Sequence, residues 1–482
     1  RNRAIEQLAR HGSEAVPALT QALKGAGSIE ARRNAVWALT RIEGEAARKA
    51  VRSCVVGQDD SVRHAAIHSM SVRRDAGGVG QLGFVLRRGS AALRRAAAEA
   101  LGRIGDKTVV PDLLEVAAGA QNDRALEHSL IYALIEIADP TGTAPALQAS
   151  NSSTKRAALM ALDQMEGGGL RPEAVTPWLN TKDPILRQTA SWIVSRHAEW
   201  GGALAGFLRE RLALKNLSSS DRTELQRQLA RLAGNPAIQD LLTATLADSS
   251  AGKPAILTAL QAMAQAGLKE TPSKWTAELA KVLARDDAAI IAEAVVTARA
   301  LAAPKSGAAE LADGLLRVAR DARHPADVRL GALAALPGGL ASVEAALFDF
   351  LRAHVEPSQP VLTRSTASAV LAKAKFTSEQ LLALADTVKI AGPLEVTKLL
   401  SAFEKATNEV VGLKLLGSLK LSAGLSGVRA ETLKPRLTNF PASVQQCGDE
   451  LLATLNVDSA KQRAHLEELS AALKNGDIRR GQ

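Results

Sequence analysis

The apolar positions of the first two hundred residues follow a helical rhythm that itself returns about every 31 residues. Each unit reads as a basic residue, Ala-Leu six and seven positions later, and an aliphatic residue ten later. Arg32 is followed by Ala38, Leu39 and Ile42, and Arg94 by Ala100, Leu101 and Ile104. Looser copies start at Arg63 (with Met70), Lys155 (with Ala161, Leu162 and Met165) and Arg187 (with Ile193, Val194 and His197). A further copy puts Glu127 in the basic slot and carries Ala133, Leu134 and Ile137. The spacings between starts are 31, 31, 33, 28 and 32 residues. Apolar residues three and four apart share one helix face, and a period of this length marks units that bury that face only by stacking on their neighbours. The pattern predicts an all-α chain, a right-handed α-α superhelix, and favours a binding scaffold over a compact enzyme.

The turns between units are legible too. Residues 1–24 read as a helix pair, with Ala4, Ile5 and Leu8 on the first helix and Val16, Leu19 and Leu23 on the second. Val16-Pro17, Val110-Pro111 and Ala144-Pro145 each read as a helix start, because proline is tolerated in a first turn where its missing N–H has no helical partner. After residue 216 the period blurs. Helices are expected at 222–233, 238–248, 253–266, 273–285, 287–302, 363–374, 377–388, 393–406, 408–419, 443–455 and 458–474. One recognisable unit returns at His324–Arg329, where Ala335 and Leu336 again lie six and seven past Arg329. The chain therefore divides into regular repeats over 1–215, degenerate repeats over 216–474 and a distinct tail over 475–482.

Composition narrows the class. Aromatics are 3% of 482 residues and hydrophobics 46%, which suits close helix packing and disfavours sheet. No run of about 18 apolar residues appears, so the segment is not expected to insert in a membrane. The net charge is +10, and residues 1–120 hold 19 Lys/Arg against 12 Asp/Glu. Such a field attracts nucleic acid, acidic lipid or acidic protein. Lys-rich stripes with stacking aromatics are absent from the sequence, and the surplus reads as the basic face of a solenoid, with protein or neighbouring domains as partners and no nucleic acid.

The run Asp60-Ser61-Val62-Arg63, and Leu93-Arg94 through Gly105-Asp106 to Pro111, resemble the HEAT repeat and its lyase-type bacterial variants over roughly 1–215. The resemblance implies a HEAT/ARM-like solenoid whose Asp and Arg pair along the inter-repeat turns. It makes Arg32, Arg63, Arg94, Arg187 and Arg329 structural residues rather than ligand contacts, and Glu127 a weak point in that ladder. The tail Gly476-Asp477-Ile478-Arg479-Arg480-Gly481 resembles the opening of a class I cytochrome c domain. Repeats running into it look like the large haem-binding dehydrogenase-type proteins of PVC-group bacteria. There a sugar-dehydrogenase-like β-propeller precedes the repeats and a small c-type cytochrome follows. That resemblance implies a non-catalytic scaffold cut from a longer chain, an expectation to which the start at Arg1 also leads. It implies haem c only in the downstream domain, and a periplasmic or exported location with or without membrane association. The alternatives are a free-standing protein-binding adaptor and, less simply, a HEAT-like enzyme or nucleic-acid binder such as an alkylpurine glycosylase or a bilin lyase.

No nucleotide, hydrolase, zinc-protease or haem-attachment motif occurs, and no catalytic, cofactor or metal residue is expected. His64 and His68 share a helix face but lack a third ligand. Cys54 reads as a small core residue, and Cys447 stands far from it. Trp192, inside Trp-Ile-Val, reads as core, whereas Trp178 and Trp200 lie near loops and are the candidates to face a partner or cover a loop. Gly167-Gly168-Gly169 reads as a turn after a helix rather than a phosphate loop.

Overall fold

The computed structural model describes residues 2–25, 27–120, 122–303 and 308–473, so the Gly476–Gly481 string lies outside the described residues. Among them the chain is helical with no strand. It forms two compact units, Arg1–Phe207 and Leu208–Gln482.

The first unit opens with α1 (Asn2–Arg10), α2 (Val16–Lys24), α3 (Ile29–Arg41), α4 (Glu45–Arg52), α5 (Asp60–Arg73), α6 (Val79–Arg88), α7 (Ala91–Ile104) and α8 (Val110–Ala117). It continues with α9 (Arg124–Ile137), α10 (Pro140–Thr143), α11 (Ser152–Gln164), α12 (Pro172–Val175) and α13 (Pro184–Val194). The odd-numbered helices α1, α3, α5, α7, α9, α11 and α13 pack each on the next as one layer. A second layer begins with α2, α4, α6 and α8, connected to the first by α3·α4, α6·α7 and α8·α9 contacts. Further along, its place is taken by 3-10 turns at Ala144–Gln148 and Thr176–Asn180. The start expected at Ala144-Pro145 is thus a 3-10 turn.

The six first-layer helices from α3 to α13 begin the same way. The residue four before the basic slot is the N-cap: Ser28, Asp59, Ser90, Asp123, Asn151 and Asp183. The Asp59 carboxylate accepts from the Ser61 and Val62 N–H groups at 3.0 and 3.1 Å, and Asn151 and Asp183 do the same for their helices. These bonds satisfy donors that a helix start otherwise leaves open. The Ala-Leu pairs point inward: Ala38, Leu39, Ala100, Leu101, Ala133, Leu134, Ala161 and Leu162 are all buried. Burying one such leucine contributes about 1.5–3 kcal/mol. Alanine matters for a different reason, close approach. At Gly102 an added Cβ would lie 2.8 Å from Ala133 Cα, so α7 and α9 pack backbone to backbone. Gly105 ends α7 with φ +79°, a left-handed turn that glycine adopts without strain.

The second unit, beginning inside α14 (Gly201–Ala213), holds α15 (Ser219–Leu232), α16 (Pro236–Ala247), α17 (Lys253–Gln265), α18 (Ser273–Val282), α19 (Ala288–Ala300), α20 (Ala308–Arg320) and α21 (Ala326–Ala334). Then come α22 (Ala345–Ala353), α23 (Val361–Lys373), α24 (Ser378–Ile390), α25 (Pro393–Leu399), α26 (Glu409–Lys420), α27 (Ala430–Leu437) and α28 (Ala442–Leu473). Here α15, α17, α19, α21, α23 and α25 form one stacked series, and α16, α18, α20, then α22, α24, α26 and α28, run alongside. The sequence pattern does not predict helices α20, α22 or α27. The expected pair 443–455 and 458–474 is one helix, since Leu455-Asn456-Val457 contains neither Gly nor Pro to stop it. Side chains stitch neighbours across this unit: Trp275 Nε1 donates to the Gln239 carbonyl at 3.2 Å, and Thr297 Oγ1 to the Leu260 carbonyl at 3.0 Å.

Candidate interaction face

Among the described residues no group of His, Cys, Asp and Glu is disposed to hold a metal ion, and none of the helices is long and apolar enough to cross a membrane. His64 and His68 are both exposed on α5, where His68 meets the edge of Trp37 at 5.6 Å. Cys54 is buried and burial raises its thiol pKa.

The repeat arginines lie along the seams between helices. Arg63 Nε donates to the Val55 carbonyl at 3.0 Å, Arg94 Nε to Leu86 at 3.0 Å, and Arg329 Nε to Ala319 at 2.7 Å. Each carbonyl belongs to the end of the preceding helix or the turn just after it, where acceptors are left without helical partners and a cation is favoured by the dipole. Arg32 carries no hydrogen bond on its buried Nε, but its charge helps hold Asp59 low, after the Ser61 hydroxyl and the Val62 N–H. Arg187 is half-buried at the start of α13. Contacts to the next repeat's N-cap come from Arg95, 3.7 Å from Asp123, and from the charge of Lys155 near Asp183. The departure at Glu127 is compensated rather than weak: its buried carboxylate accepts twice from Arg156 Nη1, at 2.8 and 3.0 Å, across α9 and α11.

Positions one, five and nine after the basic slot form the first layer's outer face. None of these eighteen residues is buried. Along α3 they are Arg33, Trp37 and Arg41; along α5, His64, His68 and Val72; along α7, Arg95, Glu99 and Arg103. Along α9 they are His128, Tyr132 and Glu136; along α11, Arg156, Met160 and Gln164; along α13, Gln188, Trp192 and Arg196. Spacing of four residues aligns each trio on its helix, and the side-by-side packing of the helices makes the trios one surface. The chain's single tyrosine and two of its five tryptophans stand at the fifth position. Tyr132 is stacked with His128, and its hydroxyl bonds to Glu136, which pushes the phenol pKa up. Arg196 lies 4.6 Å over the Trp192 ring.

Trp192 is therefore 37% exposed rather than core. Ile193 and Val194 take the buried face of α13 with Leu186, Thr189 and Ala190, and Trp192 falls outside that three-four spacing. Trp200, by contrast, is buried, stacked on His197 at 4.0 Å. His197 sits between Asp163 (Nε2 to Oδ1, 2.7 Å) and Glu199 (Nδ1 to Oε1, 2.5 Å). Burial opposes its charged form, but the two carboxylates outweigh that and raise its pKa. Trp178 is half-buried under the Lys155 ammonium, 4.2 Å from its ring centre. The glycine run 167–169 forms the turn after α11. The outer stripe escaped the sequence reading because that reading followed buried positions. Its signal was the residue just before each Ala-Leu pair.

Residues 1–71 match a family model described as HEAT repeats, and residues 93–119 one described as a PBS lyase HEAT-like repeat. No curated protein matches the chain. Among solved structures, importin beta is similar at 12% identity and TM-score 0.49, over 94% of this chain and 68% of that one. A structure of Kap95p binding RanGDP aligns at 12% identity and TM-score 0.48, covering 98% and 77%. Human deoxyhypusine hydroxylase aligns at 18% identity and TM-score 0.22, over 55% of this chain and 99% of that one. The matched repeats and the stacked helix layers make this a HEAT/ARM-like solenoid fold.

Proposed function

We propose that this chain is a non-catalytic HEAT-repeat scaffold that docks protein on the outer face of its first helix layer. The observation that carries the reading is that Trp37, His68, Tyr132, Met160 and Trp192 share one register position, interrupted by Glu99 on α7, with His68, Tyr132 and Trp192 exposed and Trp37 and Met160 half-buried against the core. Tryptophan, tyrosine and arginine dominate the energetic centres of protein interfaces, and residues needed only for the fold would be drawn inward. A photo-crosslinking amino acid at Tyr132, compared with one at Lys49 on α4, tests it in cells that express the protein. Crosslinking to one discrete protein from 132 alone is expected; equal crosslinking from both positions overturns the reading.

A second reading concerns the parent protein and rests on the tail Gly476–Gly481. In it the solenoid joins a sugar-dehydrogenase-like propeller to a c-type cytochrome in an exported electron-transfer protein, holding donor and acceptor domains apart at a working distance. Haem c would be carried by the domain that follows, since Cys54 and Cys447 do not stand in a Cys-x-x-Cys-His sequence. The coding sequence downstream decides it: absence of Cys-x-x-Cys-His within about 40 residues of Gln482, the reach of a cytochrome's first helix and haem site, leaves the free-standing adaptor.

A further inference from the structure

The outer stripe is not chemically uniform from end to end. On α3, α5 and α7 it presents Arg33, Arg41, His64, His68, Arg95 and Arg103 against one carboxylate of its own, Glu99, with Trp37 and Val72 between them and Arg95 3.7 Å from the neighbouring Asp123. Arg33 and Arg41 have no carboxylate within 4.0 Å among the described residues, while Arg103 pairs with Glu99 at 3.1 Å. On α9, α11 and α13 the character changes. Tyr132, Met160 and Trp192 supply apolar surface, and the two arginines there are already engaged, Arg156 by Glu127 and Arg196 by Asp163 at 3.8 Å.

We propose that this face binds an extended, two-part peptide segment of a partner protein, acidic where it crosses α3–α7 and apolar or aromatic where it crosses α9–α13. The proposal rests on the docking-face reading and adds the chemistry and polarity of the occupant. Neighbouring packed helices are about 8–10 Å apart, and a chain in the extended polyproline II form advances about 3.1 Å per residue with three residues per turn, so every third residue of the segment points the same way and meets the next helix. Six helices then span roughly 16 residues. Carboxylates reaching Arg33, Arg41 and His64 gain charge complementarity that steers binding and sets register. A leucine or phenylalanine over Tyr132, Met160 and Trp192 buries apolar area that water otherwise covers. A nucleic acid fits less well, because its evenly spaced phosphates would meet Glu99 and Glu136 on the same path.

The test uses the full chain and fluorescence anisotropy with 16-residue labelled peptides. One carries Glu at every third position of its first half and Phe at every third of its second; another has the halves exchanged; a third replaces each Glu with Lys; a fourth probe is oligo-dT. One of the two Glu/Phe orders is expected to bind, with affinity falling at least about tenfold in Arg33→Glu/Arg41→Glu and also falling in Trp192→Ala. The milder pair Arg33→Gln/Arg41→Gln and circular dichroism of every variant keep loss of fold from imitating loss of binding. Binding of neither Glu/Phe order overturns the proposal, as does oligo-dT binding that is tighter and lost in the same arginine variants. If the Lys peptide binds as well as the Glu peptides and is lost in Trp192→Ala, the acidic occupant is wrong while the docking face stands. If Tyr132 crosslinking also fails to single out a protein, the docking face itself falls.

Discussion

At the scale of single residues, position in the repeat does not dictate the partner. Glu127 occupies a slot that elsewhere holds Arg or Lys, and the fold answers with Arg156 on the next helix. Restoring the repeat's own basic residue should therefore harm the protein. Glu127→Arg would face Arg156 across the seam, and Glu127→Ala would leave Arg156 unpaired. We expect a loss of about 2 kcal/mol for Ala in urea unfolding, below the range for a fully enclosed pair because Arg156 remains one-third exposed, and a larger loss for Arg. His197 gives a pH signature. Its folded pKa is raised above 6.5 by Glu199 and Asp163 against the cost of burial, so its stabilising contribution is complete below 6.5 and fades as pH rises through the raised value. Melting temperatures of the native protein and His197→Gln should converge as pH increases from 6.5; a gap that widens with pH would contradict this.

Helices stack here through small residues, and glycine has opposite meanings at two sites. At Gly102 an added methyl meets Ala133 Cα at 2.8 Å. Overpacking of about 1–3 kcal/mol outweighs the roughly 1 kcal/mol of helix propensity that alanine brings. Gly102→Ala should lower the unfolding free energy. Gly417 lies exposed inside α26 with nothing within 4 Å of an added Cβ, so Gly417→Ala should raise it by about 1 kcal/mol. Denaturant titration of both variants checks the pair, and a same-sign result would refute the packing argument. The sequence displayed the Pro-led starts and the buried Ala-Leu face plainly. It did not display α20, α22 or α27, where the period had lapsed, nor the continuity of α28 across Asn456. Local propensity does not say whether two helical stretches are one.

For the whole molecule, a solenoid's stability is a sum over neighbours. Damage at the α7–α9 seam should spread along the first unit by steps. In hydrogen exchange of Gly102→Ala we expect the greatest loss of amide protection in α7 and α9, less in α5 and α11, and least in α3. Uniform loss across these helices would show one cooperative core instead.

The sequence alone determined that the chain is helical, repeated and stacked, because a period near 31 residues with inward Ala-Leu pairs has no other economical way to leave water. It also located the Pro-led helix starts at Val16-Pro17 and Val110-Pro111, because proline constrains only its own turn. Only the tertiary structure decided which residues between those landmarks face outward together. Trp37 and Trp192 are 155 positions apart and share a stripe through five intervening helix contacts. Their role depends on the rotation of each helix about its axis, and that rotation is set by the neighbours it packs against.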